Sequence, residues 1–351
     1  MELLNVWDYE RVAAERLEAG AHGYYAGGAG DELTLRDNVA AFQRWQLRQR
    51  VLIDVSDATT ATTVLGHELS MPLLVAPVAF QRVAHPDGEV GMARAAHAAG
   101  TAMCLSTLAT ATPAEIAETG VQRWFQLYVF RDEQMTVELI ARARDAGFTA
   151  ILLTVDAPVV GRRERDFRTG FTIPPEITVA SLGQGGVTPA EAFAQVSDSL
   201  SWRDLESVAA QAGLPVLVKG VLTAEDARLA CEHGAAGVVV SNHGGRQLDG
   251  VSATLDALPE VAEAVDGRIE VLLDGGVRRG GDVVKALALG ANAVLAGRAP
   301  LWGLAVDGEA GARRVLELLR DEILVALKLT GCTSPAAVTR DRVQCRAAPL
   351  P

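Results

Sequence analysis

One short stretch of this sequence brings together the residue types that enzymes use for acid-base chemistry. After the apolar run Val238-Val239-Val240, the chain continues as Ser-Asn-His-Gly-Gly-Arg-Gln-Leu-Asp over residues 241–249. An apolar run that ends in a histidine, two glycines and an arginine predicts a buried strand with reactive groups at its carboxyl end. Because imidazole has an unperturbed pKa of about 6.5, His243 could accept a proton at neutral pH.

The strand before His243 is one of eight similar apolar runs, which alternate with helix-like segments. The predicted strands are residues 72–79, 102–106, 124–129, 150–155, 215–219, 237–240, 270–273 and 293–296. Near-continuous apolar runs are typical of parallel strands that are buried on both faces. Capping sequences at Thr112 and Thr223, and glycines such as Gly147 and Gly213, mark the ends of the helices. This pattern predicts an α/β fold, the (β/α)8 TIM barrel.

The remaining segments predict additions to a single domain over residues 1–351, with the barrel core at about residues 71–330. Helical segments at 7–17 and 34–42 form an N-terminal helical extension, which could cap the barrel or bring Tyr24 to its mouth. A long connection follows the fourth strand, and its only clear helix is 202–212. Within it, residues 161–201 predict an irregular insertion that acts as a mobile lid. A long amphipathic helix is predicted at 310–329, and the tail 341–351 is expected to be exposed or frayed.

Polar groups gather where the predicted strands end. They include Ser106, Gln126, Thr154 with Asp156, Lys219 and Ser241, followed by Asp274-Gly275-Gly276-Val277-Arg278 and Gly297-Arg298. In TIM barrels the loops after the seventh and eighth strands commonly bind phosphate. Glycines let backbone N–H groups approach the phosphate oxygens, and arginines add charge-assisted hydrogen bonds. The last two loops therefore predict a phosphate site.

Composition excludes several other classes of protein. The formal net charge is -12, and no dense lysine and arginine cluster is present, which argues against a nucleic-acid or anionic-membrane partner. The four cysteines have neither metal-binding nor redox spacing, so no metal site is predicted. Because the sequence has no long apolar segment and no cationic leader, we expect a cytoplasmic protein without a membrane anchor.

These motifs, taken in order from Tyr24 to Cys332, resemble the FMN-dependent 2-hydroxy acid oxidases and dehydrogenases. That family includes glycolate oxidase, lactate oxidase, mandelate dehydrogenase and hydroxymandelate oxidase. The resemblance rests on Tyr24-Tyr25, Phe125-Gln126-Leu127-Tyr128, Thr154-Val155-Asp156, Gly161-Arg162-Arg163, residues 241–249 and residues 274–280. It implies a homotetramer that oxidises an (S)-2-hydroxy acid to the 2-oxo acid and reduces dioxygen to hydrogen peroxide.

The resemblance also implies a role for each site residue. FMN would lie across the barrel mouth, with its ring system against Pro77, Val78, Ala79, Ser106, Gln126, Thr154 and Ser241. Lys219 would stabilise the negative charge that develops on the reduced ring. The phosphate would be held by Asp274, Gly275, Gly276, Arg278, Gly297 and Arg298. In the substrate site, His243 would be the catalytic base, oriented by Asp156, while Tyr128 would contact the substrate oxygen at C2. Arg163, Arg246 and Tyr24 would hold the substrate carboxylate.

The sequence departs from the small-acid oxidases at two pocket positions. Leu108 stands where they usually have tryptophan, and Val78 stands where they often have threonine or glycine. A smaller apolar side chain at residue 108 predicts a larger or aromatic substrate of the mandelate type, unless Leu108 points away from the pocket. The sequence leaves three alternatives to an oxidase open: a dehydrogenase with an acceptor other than oxygen, a decarboxylating lactate-type monooxygenase, and a non-catalytic barrel that binds flavin or phosphate.

Overall fold

The computed structural model describes residues 2–183 and 188–346. The chain begins with three helices, α1 (Val6–Arg16), α2 (Ala19–Ala26) and α3 (Leu33–Arg44), followed by the short strand β1 (Trp45–Leu47). Asn5 caps α1, since its side chain accepts hydrogen bonds from the backbone N–H groups of Trp7 and Asp8. The predicted N-terminal helical extension is confirmed, and it contains one helix, α2, that the sequence reading did not separate.

A small hairpin precedes the barrel. Strands β2 (Thr62–Val64) and β3 (His67–Leu69) pair antiparallel across a two-residue turn. Val64 and Leu69 are buried in the same apolar cluster as Leu74, Trp124 and Leu272 of the barrel strands. This hairpin therefore covers one end of the barrel. The sequence had indicated the N-terminal helices as a possible cap at this position.

Eight parallel strands close into the predicted barrel, which confirms the (β/α)8 fold. The first half contains β4 (Leu73–Val75), α4 (Gly88–Ala98), β5 (Ala102–Leu105), α5 (Pro113–Ala117), β6 (Gln122–Leu127), α6 (Glu133–Asp145) and β7 (Ile151–Thr154). After the long insertion come α9 (Trp202–Ala212), β8 (Val216–Val221), α10 (Ala224–Glu232), β9 (Gly237–Val240), α11 (Thr254–Val265), β10 (Glu270–Asp274), α12 (Gly280–Ala288), β11 (Ala293–Ala296) and α13 (Arg298–Leu329). Neighbours in the barrel follow chain order, and β11 pairs with β4 to close it.

The strands divide their side chains between two apolar clusters. Leu74, Cys104, Leu152 and Leu217 belong to the cluster inside the barrel, whereas alternate residues such as Leu73 pack against the surrounding helices. Alternation of this kind follows from the two-residue period of a strand. Burial on both faces explains why the strands read as continuous apolar runs.

The insertion after β7 contains more helix than expected. Short helices α7 (Glu164–Thr169) and α8 (Pro189–Ala194) lie within it, so the prediction of a wholly irregular segment is wrong for these residues. Thr188 caps α8 through a capping box with Glu191. Residues 184–187 of the predicted lid lie outside the described residues, and the mobility of the lid remains a prediction.

The last part of the chain also differs from expectation. Helix α13 begins at Arg298 and is broken at Asp307 and Gly308, whose backbone angles are not helical. The predicted helix at 310–329 is its second segment. Strand β12 (Val343–Cys345) pairs antiparallel with β1, so this part of the tail is not frayed, although Gln344 and Cys345 are exposed as predicted. Residues 347–351 of that tail lie outside the described residues. Within the described residues, no helix combines the length and apolar character needed to cross a membrane.

Candidate active site

A large cavity opens at the carboxyl ends of the barrel strands. It contains about 1030 Å³ of empty space, including its open mouth. Most of the predicted site residues line it, namely Tyr24, Pro77, Val78, Ala79, Ser106, Leu108, Gln126, Tyr128, Arg163, Lys219, His243, Arg246, Asp274, Gly275, Gly276, Arg278, Gly297 and Arg298. Thr154, Asp156 and Ser241 do not line it and instead bond to residues that do. The barrel therefore gathers residues from all parts of the chain at one site.

His243 and Asp156 form a hydrogen-bonded pair at this site. Nδ1 of His243 lies 2.9 Å from Oδ1 of Asp156. Because the carboxylate occupies Nδ1, Nε2 is the nitrogen left to accept a proton. Burial lowers the pKa of His243 from its usual value, and the attraction of Asp156 only partly opposes this. Although burial alone would raise it, the pKa of Asp156 is lowered by His243 and Lys219.

The backbone around this pair is specially shaped. His243 has a left-handed φ of 58°, which is uncommon for a residue other than glycine and is typical of functional positions. Its N–H donates to Oγ of Ser241 at 3.1 Å. Across the site, a Cβ on Gly220 would lie 2.6 Å from Cβ of Asp156. Glycine after Lys219 therefore leaves room for the carboxylate that pairs with His243.

Tyr128 lies on the other side of the histidine. Its hydroxyl is 3.5 Å from Nε2 of His243, so the two atoms are close enough to hydrogen-bond to one oxygen placed beside them. Burial raises the pKa of Tyr128 to about 12, with a further contribution from Asp156. The phenol is therefore protonated at neutral pH and can donate a hydrogen bond.

Lys219 is held by a buried polar network. Its Nζ donates to Ser241 Oγ at 3.0 Å and lies 3.2 Å from Asp274 Oδ2, while Ser241 donates to Asp274 Oδ1 at 2.7 Å. Burial opposes the charge, but Asp274 and Asp156 together raise the pKa of Lys219 above its usual value. Asp274 therefore acts as the counter-ion of Lys219, and its place at the phosphate remains a prediction.

A second network fixes the polar wall formed by Gln126. Its Oε1 accepts from Ser106 Oγ at 3.2 Å and from the Thr107 N–H at 3.1 Å. Its Nε2 donates to Thr154 Oγ1 at 3.1 Å. These bonds assign the orientation of the amide, because one end faces donors and the other faces an acceptor.

The cavity is strongly cationic although the whole chain is acidic. Its lining contains Arg163, Lys219, Arg246, Arg278 and Arg298 but only one carboxylate, that of Asp274. Burial lowers the pKa of Arg246 and of Arg298, and neighbouring arginines lower both further. Guanidinium groups that repel one another in a buried site are stabilised when an anion binds between them. The site is therefore suited to anionic ligands.

The arginines are not equally available. Arg298 donates to the carbonyls of Tyr25, Gly27 and Gly244 at 2.7, 2.9 and 3.0 Å. Arg246 bonds to the carbonyls of Tyr24 and Gly27 and stacks over the Tyr24 ring. Both thus also anchor α2 to the site. Nε of Arg163, in contrast, is buried and has no hydrogen-bond partner among the residues that the structure describes, and the same holds for Oδ2 of Asp156.

The last two barrel loops both line the cavity, and a phosphate site here remains a prediction. Helix α13 begins at Arg298, beside Gly297, and the first N–H groups of any helix lack partners within it. Arg278 is buried at the same end of the cavity, where its guanidinium lies 3.3 Å from Glu10. The glycines here have a second purpose, because a Cβ on Gly276 would lie 2.1 Å from the backbone oxygen of Asn38 in α3.

Sequence reasoning missed several lining residues. They are Tyr25, Ala76, Phe193, Gly244, Val277, Leu295, Ala296 and Leu301. Phe193 comes from α8 in the insertion, and its ring packs against Phe80 with a centroid distance of 6.4 Å. No periodic pattern could have placed a residue from so long an insertion at the site. Most of the others are direct neighbours of predicted residues, as Tyr25 is of Tyr24, whereas Leu301 lies in the first turn of α13.

The chain is similar in sequence and in structure to known proteins. Residues 13–345 match the family described as FMN-dependent dehydrogenase. Glycolate oxidase 3 of Arabidopsis thaliana is 51% identical over 98% of this chain and 96% of the relative. L-lactate oxidase of Nostoc sp. is 50% identical over 94% and 95%. A crystal structure of mandelate oxidase with benzoyl-formic acid superposes with a TM-score of 0.93 and 44% identity, covering 99% of this chain and 100% of that one.

Proposed function

This chain belongs to the FMN-dependent dehydrogenase family and is an FMN-dependent 2-hydroxy acid oxidase, and we propose that its preferred substrate is an (S)-2-hydroxy acid with an aromatic side chain. The observation that carries this proposal is the position of Leu108. This side chain is buried at the cavity wall and lines the cavity with Val78 and Phe193. The apolar space that they border suits a phenyl ring rather than the hydrogen of glycolate.

The residues present fit FMN. The cavity is large enough for a cofactor and a small acid, and it joins an apolar wall at Pro77, Val78 and Ala79 to a polar wall at Gln126. Arg278 and the start of α13 would hold its phosphate, and the two walls together with Lys219 would hold its ring system. When bound, FMN would supply the two-electron chemistry that couples oxidation of the hydroxy acid to reduction of dioxygen.

The protein residues supply substrate binding and proton transfer. Arg163, with its unpartnered Nε, and Arg246 hold the substrate carboxylate, and Tyr24 supports it. The C2 oxygen of the substrate then lies within hydrogen-bond reach of both Tyr128 and His243. Nε2 of His243 accepts one proton from the substrate, and FMN, when bound, would take up the second hydrogen and both electrons. Asp156 stabilises the imidazolium through Nδ1. Lys219 balances the negative charge that accumulates at the site during the reaction.

The named relatives also support a second candidate substrate. Glycolate and lactate oxidases are 51% and 50% identical to this chain, more than the mandelate oxidase structure at 44%. Overall identity is spread over the whole barrel, however, whereas substrate size is decided by the few residues that contact the side chain. We therefore give more weight to Leu108, Val78 and Phe193 than to overall identity.

A substrate panel tests this proposal. We expect kcat/KM for (S)-mandelate to exceed that for glycolate by roughly 10- to 150-fold, which corresponds to burial of a phenyl-sized group. Leu108→Trp should reverse the preference, because a larger ring fills the same space and crowding costs about 1–3 kcal/mol. Hydrogen peroxide should form in proportion to the dioxygen consumed, which separates an oxidase from a dehydrogenase and from a decarboxylating monooxygenase. A wild-type preference for glycolate would refute the aromatic assignment.

We also propose that the protein is a cytoplasmic homotetramer. Its cysteines are all unpaired, and Cys345 is exposed, which is typical of a reducing compartment. An exposed apolar groove lined by Leu4, Leu47, Val325 and Leu329 could take part in subunit contacts. Family resemblance favours the tetramer over other assemblies.

A further inference from the structure

The side chain of Gln247 joins the two loops that carry the substrate-contacting residues. Its Nε2 donates to the carbonyl of Asp156 at 3.0 Å and to that of Val159 at 2.8 Å. Its Oε1 accepts from the N–H of Gly161 at 3.1 Å. One amide thus satisfies three backbone groups in the segment 156–161, and the alternation of donors and acceptors fixes its orientation.

The two loops touch directly beside this amide. A Cβ on Gly161 would lie 2.3 Å from the carbonyl oxygen of Arg246 and 2.7 Å from Cα of Gln247. A side chain at residue 161 would collide with the backbone of the other loop. Only glycine therefore permits the two backbones to pack this closely. The bonds of Gln247 to Asp156, Val159 and Gly161 hold this contact together.

The segment has few other attachments. In the part of the chain that the structure describes, residues 157–161 hydrogen-bond only to Gln247. Val159 and Val160 are largely exposed and add little buried apolar surface. A short segment without further hydrogen bonds would move freely on its solvent side. Gln247 is therefore its main anchor.

Gln247 and the segment that it anchors both lie next to residues with proposed roles in substrate binding and proton transfer. The segment lies between Asp156 and Arg163 in sequence, and Gln247 follows His243 and Arg246 in the opposite loop. Movement of one loop against the other would change both the contact of Asp156 with His243 and the spacing of the two arginines. Gln247 itself does not line the cavity that holds these groups.

From these contacts we propose that Gln247 is a positioning residue for the oxidation. It sets the separation of the loop with Asp156 and Arg163 from the loop with His243 and Arg246. This inference rests on the roles assigned to those four residues under the proposed function. Its effect is indirect, since Gln247 touches the backbone of a neighbouring loop and neither the substrate nor the cofactor.

Gln247→Glu is the most informative variant because it preserves size and shape. One carboxylate oxygen can still accept from Gly161, but the other would face two carbonyl oxygens without a proton to donate. We expect kcat/KM at neutral pH to fall roughly 10- to 100-fold, as for a small misplacement of reacting groups. The loss should shrink as the pH is lowered, because a protonated carboxyl can again donate to one carbonyl. A purely structural role would not give this pH-dependent recovery relative to wild type.

Activity is measured with whichever of (S)-mandelate, L-lactate and glycolate the wild type oxidises fastest, so an error in the proposed substrate does not affect the test. Benzoate affinity, followed by the absorbance of bound FMN, reports on the arginine pair without turnover and should weaken. Gln344→Glu is the matched control, since the exposed side chain of Gln344 hydrogen-bonds, within the described residues, only to Gln46. It should behave like wild type.

Two outcomes would overturn the proposal. One is a Gln247→Glu protein whose FMN content, kcat/KM and benzoate affinity all stay within about twofold of wild type. The other is a loss of activity that is the same at every pH. If Gln247→Glu does not fold, Gln247→Met provides the second variant, and it should lower kcat/KM and benzoate affinity without recovery at low pH. Wild-type values for Gln247→Met would equally reject the role.

Discussion

At the scale of single residues, the pairing of His243 with Asp156 determines which nitrogen can act. The bond at Nδ1 leaves Nε2 facing the Tyr128 hydroxyl, so the base and a hydrogen-bond donor converge on the same point. The left-handed backbone of His243 and the glycine at 220 maintain this geometry. The residue type could be predicted from sequence, but the backbone conformation could not, since histidine has no strong preference for it.

His243→Gln tests the catalytic base. Glutamine can still hydrogen-bond to Asp156 but cannot accept a proton, so kcat should fall by about 10²- to 10⁴-fold while bound FMN is retained. Exposed His97, in the last turn of α4, gives the matched control His97→Gln, which should not change kcat. Stopped-flow reduction of the bound flavin is the direct measurement. Wild-type reduction rates in His243→Gln would remove His243 from the mechanism.

The pH dependence of turnover follows from the same residue. Burial lowers the pKa of His243 below its usual 6.5, so the neutral, proton-accepting form persists to lower pH than in free histidine. We therefore expect kcat/KM to be constant above about pH 6.5 and to fall about tenfold per pH unit below the lowered pKa. Initial rates between about pH 4.5 and 8 provide the profile. An acid limb that begins above pH 6.5 would contradict this expectation.

At the scale of elements, the loop after β10 lines the cavity and also packs against helix α3. Gly276 has a φ of 83°, and its missing Cβ is replaced by the backbone of Asn38. Asn38 is itself buried and exchanges two amide hydrogen bonds of 2.8 Å with Asn242. The glycine therefore joins the phosphate loop to the N-terminal helices and to the loop that carries His243.

Gly276→Ala should disturb all of these contacts. The added methyl group would meet a carbonyl oxygen at 2.1 Å, so we expect a loss of about 2–6 kcal/mol in unfolding free energy and poor retention of FMN. Gly234→Ala is the control, because Gly234 has a similar φ of 78° with nothing within 4 Å of its missing Cβ. It should cost only about 1–2 kcal/mol. Urea unfolding of both variants separates the cost of crowding from the cost of backbone strain. Equal losses of unfolding free energy in the two variants would show that the contact with Asn38 is unimportant.

Some types of element could be predicted from the sequence more accurately than others. Buried parallel strands were located well because their apolar runs are long and end in recognisable polar groups. Helices α7 and α8 were missed because a helix of six residues has little periodicity to detect. The first segment of α13 was missed because Asp307 and Gly308 interrupt the pattern, and Glu309 restarts the helix with its N–H on Asp87.

At the scale of the whole molecule, the charge distribution separates the site from the rest of the surface. A chain of net charge -12 concentrates five cationic side chains in one cavity. Individual cations at strand ends were predictable, whereas their convergence depends on barrel closure. The pairing of Asp274 with Lys219 was not anticipated, because no local pattern connects two strands that are separated in sequence.

Assembly is also a property at this scale. Light scattering of the purified protein at micromolar concentration should give four times the chain mass. Val325→Glu and Leu329→Glu should weaken subunit contacts, if the exposed groove is used, without changing the FMN spectrum of the subunit. The exposed Val137 of α6 supplies a control, Val137→Glu, that lies outside that groove. A wild-type monomer would disprove the tetramer.

The pairing of β1 with β12 has a consequence for biosynthesis. Trp45, Gln46 and Leu47 pair with Cys345, Gln344 and Val343, partners that are separated by almost the entire chain. On the ribosome, the early segment must wait without its partner until residue 345 has been synthesised. The helix bearing Tyr24 precedes that segment, so its final docking is expected to be among the last events after synthesis.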